Sequence, residues 1–323
     1  MRFWSGKRVF VTGCNGFLGS WLTKTLSENG AEVTGLIRDI IPNSYLKLSG
    51  TLDKINVVYG GLEDYRTIER ALNEHEIQFC FHLGAQAIVS TANRSPISTF
   101  EANIKGTWTV LEAARCTKLL EGVIVASSDK AYGIHEKLPY TEDAPLKGSH
   151  PYDVSKSCSD LLAQSYFHSY GLPVSITRCG NIYGGGDLNF TRIVPGTIKS
   201  VIHNETPVIR SDGKFTRDYI YVSDIVDGYL KIAENMKKAG GEAFNFSNEN
   251  PVSVIELFDK IIRISGKKMK PRVLNEAKNE IRDQYLSSKK SVKTLGWKSK
   301  YSLEDGLREA FLWYREFFQR QLS

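Results

Sequence analysis

The chain has 323 residues, 41% apolar and 24% charged, which suits one large globular domain or two unequal ones. No apolar run is long enough to span a bilayer, and the start MRFWSGKRVFVTG lacks a signal-peptide core, so a cytoplasmic protein with no membrane partner is expected. The net charge of +6 suits an anionic small molecule, while the one dense basic run, GKKMKPR, has no interleaved aromatics and gives no reason to expect nucleic acid. Five scattered cysteines without a CxxC pair argue against a disulfide framework or a zinc site, and no metal is expected.

In chain order, KRVFVTG reads as a strand and FLGSWLTKTLSENG as a helix closed by Gly30. AEVTGLIR is a second strand. INVVYGGL and FCFHLGA are further strands, with the helix YRTIERALNEH between them. A long helix, FEANIKGTWTVLEAARC, precedes the strand GVIVASS. Another helix starts near Pro151, and PVSITRCGNIYG is a sixth strand. Strands alternating with helices predict an α/β fold, a doubly wound parallel sheet covered on both faces. The rhythm breaks near Gly184. Residues 1–184 are expected to form the sheet domain and 185–323 a smaller α/β lobe, with EAFNFS, near 242–247, as a strand that could return to the main sheet.

VTGCNGFLGS sets Gly13, Gly16 and Gly19 at a strand-to-helix turn. Glycines there let a pyrophosphate approach the free N–H groups of the helix start, so a bound dinucleotide is expected. The second strand ends in Arg38 and Asp39. Arg38 suits a 2′-phosphate and NADP, Asp39 a ribose diol and NAD, and the alternative stays open.

Tyr152 and Lys156, in YDVSK, fall on one helix face. An ammonium beside the phenol is expected to pull the tyrosine pKa from about 10 toward neutrality. Ser128, at the end of the preceding strand, offers a hydroxyl for a substrate oxygen. Asp129 and Lys130 follow it, read either as an acid–base pair or as a solvated ion pair worth about 0–1 kcal/mol.

Together TGCNGFLGS, HLGAQAIVS, NIKGTWTVLEAA, YDVSK, RCGNIYGGGD, TRDYIYVSDIVDGYL and LGW resemble the extended short-chain dehydrogenase/reductase superfamily over nearly the whole chain. The resemblance implies a Rossmann domain holding NAD or NADP, tightly bound and recycled, a nucleotide-diphosphate sugar in the C-terminal lobe, and a homodimer. It implies cofactor contacts from Gly13, Asn15, Gly16, Phe17, Leu18 and Gly19, from Arg38, Asp39, Leu83 and Ala85, and from Asn103, Tyr152 and Lys156. Asn103 is alternatively structural or part of a proton relay. Substrate contacts are implied for Gln86, Ser128, Asn181, Arg192 and Arg217.

The Asp129-Lys130 pair resembles nucleotide-sugar 4,6-dehydratases, and FWSGKRVFVTG with GFLGSWL is most like the CDP-glucose group. Such an enzyme oxidises C4, removes the acidified C5 proton, protonates the departing C6 hydroxyl, and returns the hydride to C6. Ser128, Asp129, Lys130, Tyr152 and Lys156 are then the expected catalytic set, with Asp129 the acid and Lys130 the base. A nucleotide-sugar 4-epimerase is the alternative within the superfamily. A non-catalytic cofactor sensor is the alternative outside it.

Overall fold

A computed structural model describes residues 3–276 and 281–321. Seven parallel strands form one sheet: β1 (Arg8–Thr12), β2 (Glu32–Ile37), β3 (Asn56–Tyr59), β4 (Phe79–His82), β5 (Gly122–Ala126), β6 (Val174–Cys179) and β7 (Ala243–Phe246). Their order is β7-β6-β5-β4-β1-β2-β3. The order reverses between β1 and β4, and open sheets of this kind bind ligands outside the carboxyl ends of the strands at such a switch point.

Alternation along β1 shows why both faces are covered. Val9 and Val11 pack with Leu22 and Leu26 of the first helix, Phe17–Glu28. Phe10 points the other way, into a cluster with Ile68, Leu72 and Val110. The helix Val222–Glu234 places Ile225, Tyr229 and Ile232 on the Val9–Val11 side. The EAFNFS segment forms β7, which pairs with β6 in the register Ala243↔Ile176 to Phe246↔Cys179. The second half of the chain therefore supplies both an edge strand and part of the cover of the main sheet.

The segment expected as one helix over 100–116 is interrupted. Pro96–Phe100 runs into a π-turn at Glu101–Lys105 before Gly106–Arg115 continues. The wide turn carries Asn103, which is 1% exposed. The C-terminal lobe is built from short pairings. Asn181–Tyr183 runs parallel to Tyr219–Tyr221, and Thr216–Arg217 lies between Val252–Ser253 and Asp283–Gln284. Its core joins Tyr183, Ile198, Leu257, Leu307 and Tyr314. No helix among the described residues is long and apolar enough to cross a membrane.

Candidate active site

A cleft of about 890 Å³ runs from the glycine turn, across the carboxyl ends of β1, β4, β5 and β6, into the C-terminal lobe. At one end the backbone geometry demands glycine. Gly13 has φ +69°, and a Cβ there would lie 2.8 Å from both Cα and N of Gly84. A Cβ at Gly19 would lie 2.0 Å from the Gly13 carbonyl oxygen. The first helix starts at Gly16 with no side-chain cap, so its leading N–H groups face the cleft uncapped by side chains. That is the geometry an anionic pyrophosphate needs, and the residues present fit a dinucleotide.

Asn15, Phe17, Leu18, Leu83 and Ala85 line this end. Arg38 and Asp39 lie at its rim, exposed and bonded to each other (Nε–Oδ2 2.6 Å), and Asn15 Nδ2 donates to the Asp39 carbonyl at 2.8 Å. Asn103 is the exception among the expected cofactor residues: it does not line the cleft. Its amide is spent on the backbone of Gln86, accepting from the N–H at 2.7 Å and donating to the carbonyl at 3.0 Å, and it also donates to Ser155 Oγ at 2.8 Å. The geometry makes Asn103 a clamp on the loop after β4. Gln86 itself lines the cleft.

Beneath the turn, His82 sits between Thr12 Oγ1 (2.9 Å from Nδ1) and Thr107 Oγ1 (3.1 Å from Nε2). Gly84 N–H donates to Thr12 Oγ1, and Thr107 Oγ1 donates to the Asn103 carbonyl. Burial, then the nearby Lys156 charge, pushes the His82 pKa down to about 3, so the ring is neutral and bridges the two hydroxyls.

At the centre, β5 ends at Ala126 and the chain turns through Ser128 into a 3₁₀ turn over Asp129–Tyr132. Ser128 Oγ accepts from Lys130 N–H at 3.2 Å and donates to Asp129 Oδ1 at 3.0 Å. Asp129 is 3% exposed, which is inconsistent with a solvated surface pair. Lys130 Nζ donates to Gln284 Oε1 at 3.0 Å. Tyr152 and Lys156 come from the helix Pro151–Tyr170, whose Pro151 stands at its first position. All five expected catalytic residues line the same cleft.

The electrostatics differ from the expectation at Tyr152. Its pKa is pushed up to about 12, chiefly by burial, with the Arg192 charge and a hydrogen bond with Ser128 opposing and Asp129 and Asp153 adding to it. Lys156 Nζ donates to the Ala126 carbonyl at 2.7 Å. Burial lowers the Lys156 pKa to about 8, partly offset by Asp160. At that value the lysine is still mostly ammonium at neutral pH, but its hydrogen bond goes to the β5 carbonyl; spacing along a helix reveals neither effect.

At the far end, Asn181, Arg192 and Arg217 line the cleft. Arg192 Nη1 pairs with the buried Asp187 at 3.0 Å. Arg217 donates to the carbonyls of Thr216, Arg282 and Ile281. The sequence reading did not single out three other groups. Asp153, 4% exposed and next to Tyr152, lines the cleft; burial raises its pKa, against the Lys130 charge. Its signal was present, an acid beside the phenol in the first helical turn. Gln284 and the Arg178–Asp160 pair gave none, since their partners lie far away in sequence. Arg178 binds Asp160 through two bonds, Nε–Oδ2 at 2.7 Å and Nη2–Oδ1 at 2.9 Å, and its Nη1 donates to Tyr132 OH and the Glu142 carbonyl.

Several known proteins are similar to this chain in sequence and fold. Residues 10–310 match the model of the GDP-mannose 4,6 dehydratase family. The chain is 29% identical to the CDP-glucose 4,6-dehydratase of Salmonella typhimurium, covering 98% of this chain and 93% of the relative. It superposes with a TM-score of 0.89 on a UDP-glucose 4-epimerase of Thermotoga maritima solved with UDP-glucose, at 28% identity over 96% of this chain and 99% of that one. The TM-score is 0.86 for the dTDP-glucose 4,6-dehydratase of Streptomyces venezuelae solved with NAD, at 26% identity over 96% of this chain and 97% of that one. With a match over most of its length and the glycine turn, serine, tyrosine and lysine gathered on one cleft, the chain is an enzyme-fold member of the GDP-mannose 4,6 dehydratase family.

Proposed function

We propose that the protein is a nucleotide-sugar 4,6-dehydratase that converts an NDP-hexose, CDP-glucose foremost, into the 4-keto-6-deoxy sugar. The observation that carries this reading is the placement of Asp129 and Lys130 on the cleft wall immediately after Ser128. Oxidation and reduction at C4 require one proton-transfer group; elimination across C5 and C6 requires two more, and this turn provides them. The CDP-glucose choice draws support from the Salmonella relative.

NAD would be held by the glycine turn and the Arg38–Asp39 rim, and would supply hydride transfer and the positive charge that Tyr152, its pKa pushed up to about 12 by burial, needs to act as phenolate. Tyr152 takes the proton of the C4 hydroxyl, steadied by Ser128. Lys130 removes the C5 proton and returns a proton to C5 when C6 is reduced, which completes the 4-keto-6-deoxy product. Asp129, as the acid, delivers a proton to the C6 oxygen, which leaves as water. Lys156 holds the β5 carbonyl end and the helix in place. Asn181, Arg192 and Arg217 hold the nucleotide diphosphate.

The Thermotoga epimerase favours a second reading, a 4-epimerase, because its TM-score of 0.89 stands beside the 0.86 of the Streptomyces dehydratase. An assay separates the two. Incubation with NAD and a panel of CDP-, UDP-, GDP- and dTDP-hexoses is expected to yield one product lighter by a single water, with deuterium placed at C4 recovered at C6. A product of unchanged mass means an epimerase, and loss of the label to an external cofactor pool refutes a closed redox cycle.

We also propose a cytoplasmic homodimer, supported by exposed Ile97, Trp108 and Leu161 on adjoining helices. A monomer mass in sedimentation equilibrium would refute the dimer.

A further inference from the structure

Lys130 and its one side-chain acceptor are 154 residues apart. Gln284 is fully buried on the strand Asp283–Gln284, in parallel register with Arg217. The strand's continuation is locked onto the loop that follows Lys130. Tyr140 N–H donates to the Tyr285 carbonyl and Ser287 N–H donates to the Tyr140 carbonyl, both at 2.9 Å. Tyr140 stacks on Tyr132 at 4.8 Å between ring centres and donates to the Gly133 carbonyl. Gln284 is thus held by backbone on both sides and reaches Lys130 from a fixed point.

Gln284 Oε1 faces Nζ, which carries N–H donors both as ammonium and as amine. The cost is visible at the other end: Gln284 Nε2 is buried with no hydrogen-bond partner among the described residues. An orphaned buried donor is destabilising, and an apolar side chain of the same size would avoid it. Near Lys130 lie Asp129 on its own turn, Asp153 from the helix start opposite and, from the C-terminal strands, Gln284 with Arg217 beside it in register. A carboxylate at position 284 would hold Nζ equally well but would favour the ammonium, which cannot remove a proton. A glutamine holds it without adding a charge.

We propose that Gln284 is a positioning residue for Lys130, a neutral acceptor from the C-terminal lobe that aims the amine into the cleft while leaving it free to act as a base. The inference rests on the dehydratase reading for what the base does, but not for whether the two groups are coupled.

Gln284→Glu and Gln284→Met test it. Lys130 is followed by Cε-labelled lysine NMR, assigned with Lys130→Met, on protein loaded with NAD and CDP; turnover is followed as C5–H exchange of the NDP-hexose in deuterated solvent. In Gln284→Glu the Lys130 titration is expected to move up by at least one pH unit, and the acid limb of C5–H exchange should move with it. In Gln284→Met the plateau rate of C5–H exchange is expected to fall tenfold or more while oxidation at C4 persists. An unmoved Lys130 titration in Gln284→Glu overturns the proposal, as does wild-type exchange in Gln284→Met. If Gln284→Glu does not fold, Gln284→Met decides alone. If the wild type exchanges no C5–H with any NDP-hexose, the dehydratase reading fails, and the NMR titration still decides the coupling.

Discussion

Replacing Arg178 by Met should be among the most damaging single changes outside the catalytic set. Arg178 and Asp160 have side chains 3% and 0% exposed, and they meet through two charge-assisted bonds. Removing the guanidinium leaves the Asp160 carboxylate buried, with Gln164 Nε2 at 2.7 Å as its remaining side-chain donor. Breaking a buried pair in this way costs about 3–5 kcal/mol, against a total stability of about 5–15 kcal/mol for a native protein. Tyr132 OH and the Glu142 carbonyl lose a donor as well, so the loop leaving Asp129 and Lys130 loosens with the core. Urea unfolding should show the midpoint falling sharply in Arg178→Met. Adding Asp160→Asn removes the stranded charge, keeps the bond from Gln164, and should recover most of the loss. A single variant within about 1 kcal/mol of wild type, or a double variant no better than the single, would refute the account of Arg178 as a buried, charge-matched tie.

Tyr152→Phe should lower product formation by about 10²–10⁴-fold while the melting temperature and NAD binding stay near wild type; near-normal turnover in the folded variant removes Tyr152 from proton transfer. Gly19→Ala should weaken NAD binding at least about tenfold, roughly 1.4 kcal/mol, because the added Cβ meets the Gly13 carbonyl, and titration calorimetry checks this. His82 provides the pH test. Its pKa of about 3 lies below the ordinary value of 6.5, so the unfolded chain binds a proton that the folded one refuses between those values. Stability is therefore full above pH 6.5 and falls as the pH drops toward 3, by at most about 1.4 kcal/mol per pH unit. His82→Gln should flatten that part of the urea-midpoint profile, and an unchanged slope would show that other groups carry the acid sensitivity.

The parallel, doubly wound character of the main sheet was legible because short apolar runs alternate with helical patterns through the first half of the chain. Even EAFNFS stood out as a returning strand. The glycine turn was legible because its three glycines follow the first strand and open a helix, a context that spacing alone does not supply. What stayed hidden depends on distance or depth. Arg178 sits inside the buried run VSITRC, where a sequence reader sees an interruption of an apolar strand; only the fold brings Asp160 under it. Gln284 belongs to a two-residue strand with no periodicity to detect. The raised Tyr152 pKa reflects how deeply the phenol is buried, which helical spacing does not encode. The π-turn at Glu101–Lys105 likewise left no mark on the apolar pattern of the helix, yet it decides where Asn103 points.

The return of β7 to the main sheet limits how this protein can be dismantled. A fragment ending at Tyr183 would keep the glycine turn and all five residues proposed as catalytic, yet it would expose the whole edge of β6 and strand Tyr132 OH without Asn245 Oδ1, its acceptor at 2.8 Å. Neither half is a cassette. Exchanging substrate preference with a relative by swapping everything after Gly184 would also replace a sheet strand and the helix Val222–Glu234 beneath the sheet, so a chimera with that junction inherits a mismatched core. Grafts confined to the segments around Arg192, Arg210 and Glu276, which line the cleft without entering the sheet, leave the shared framework whole.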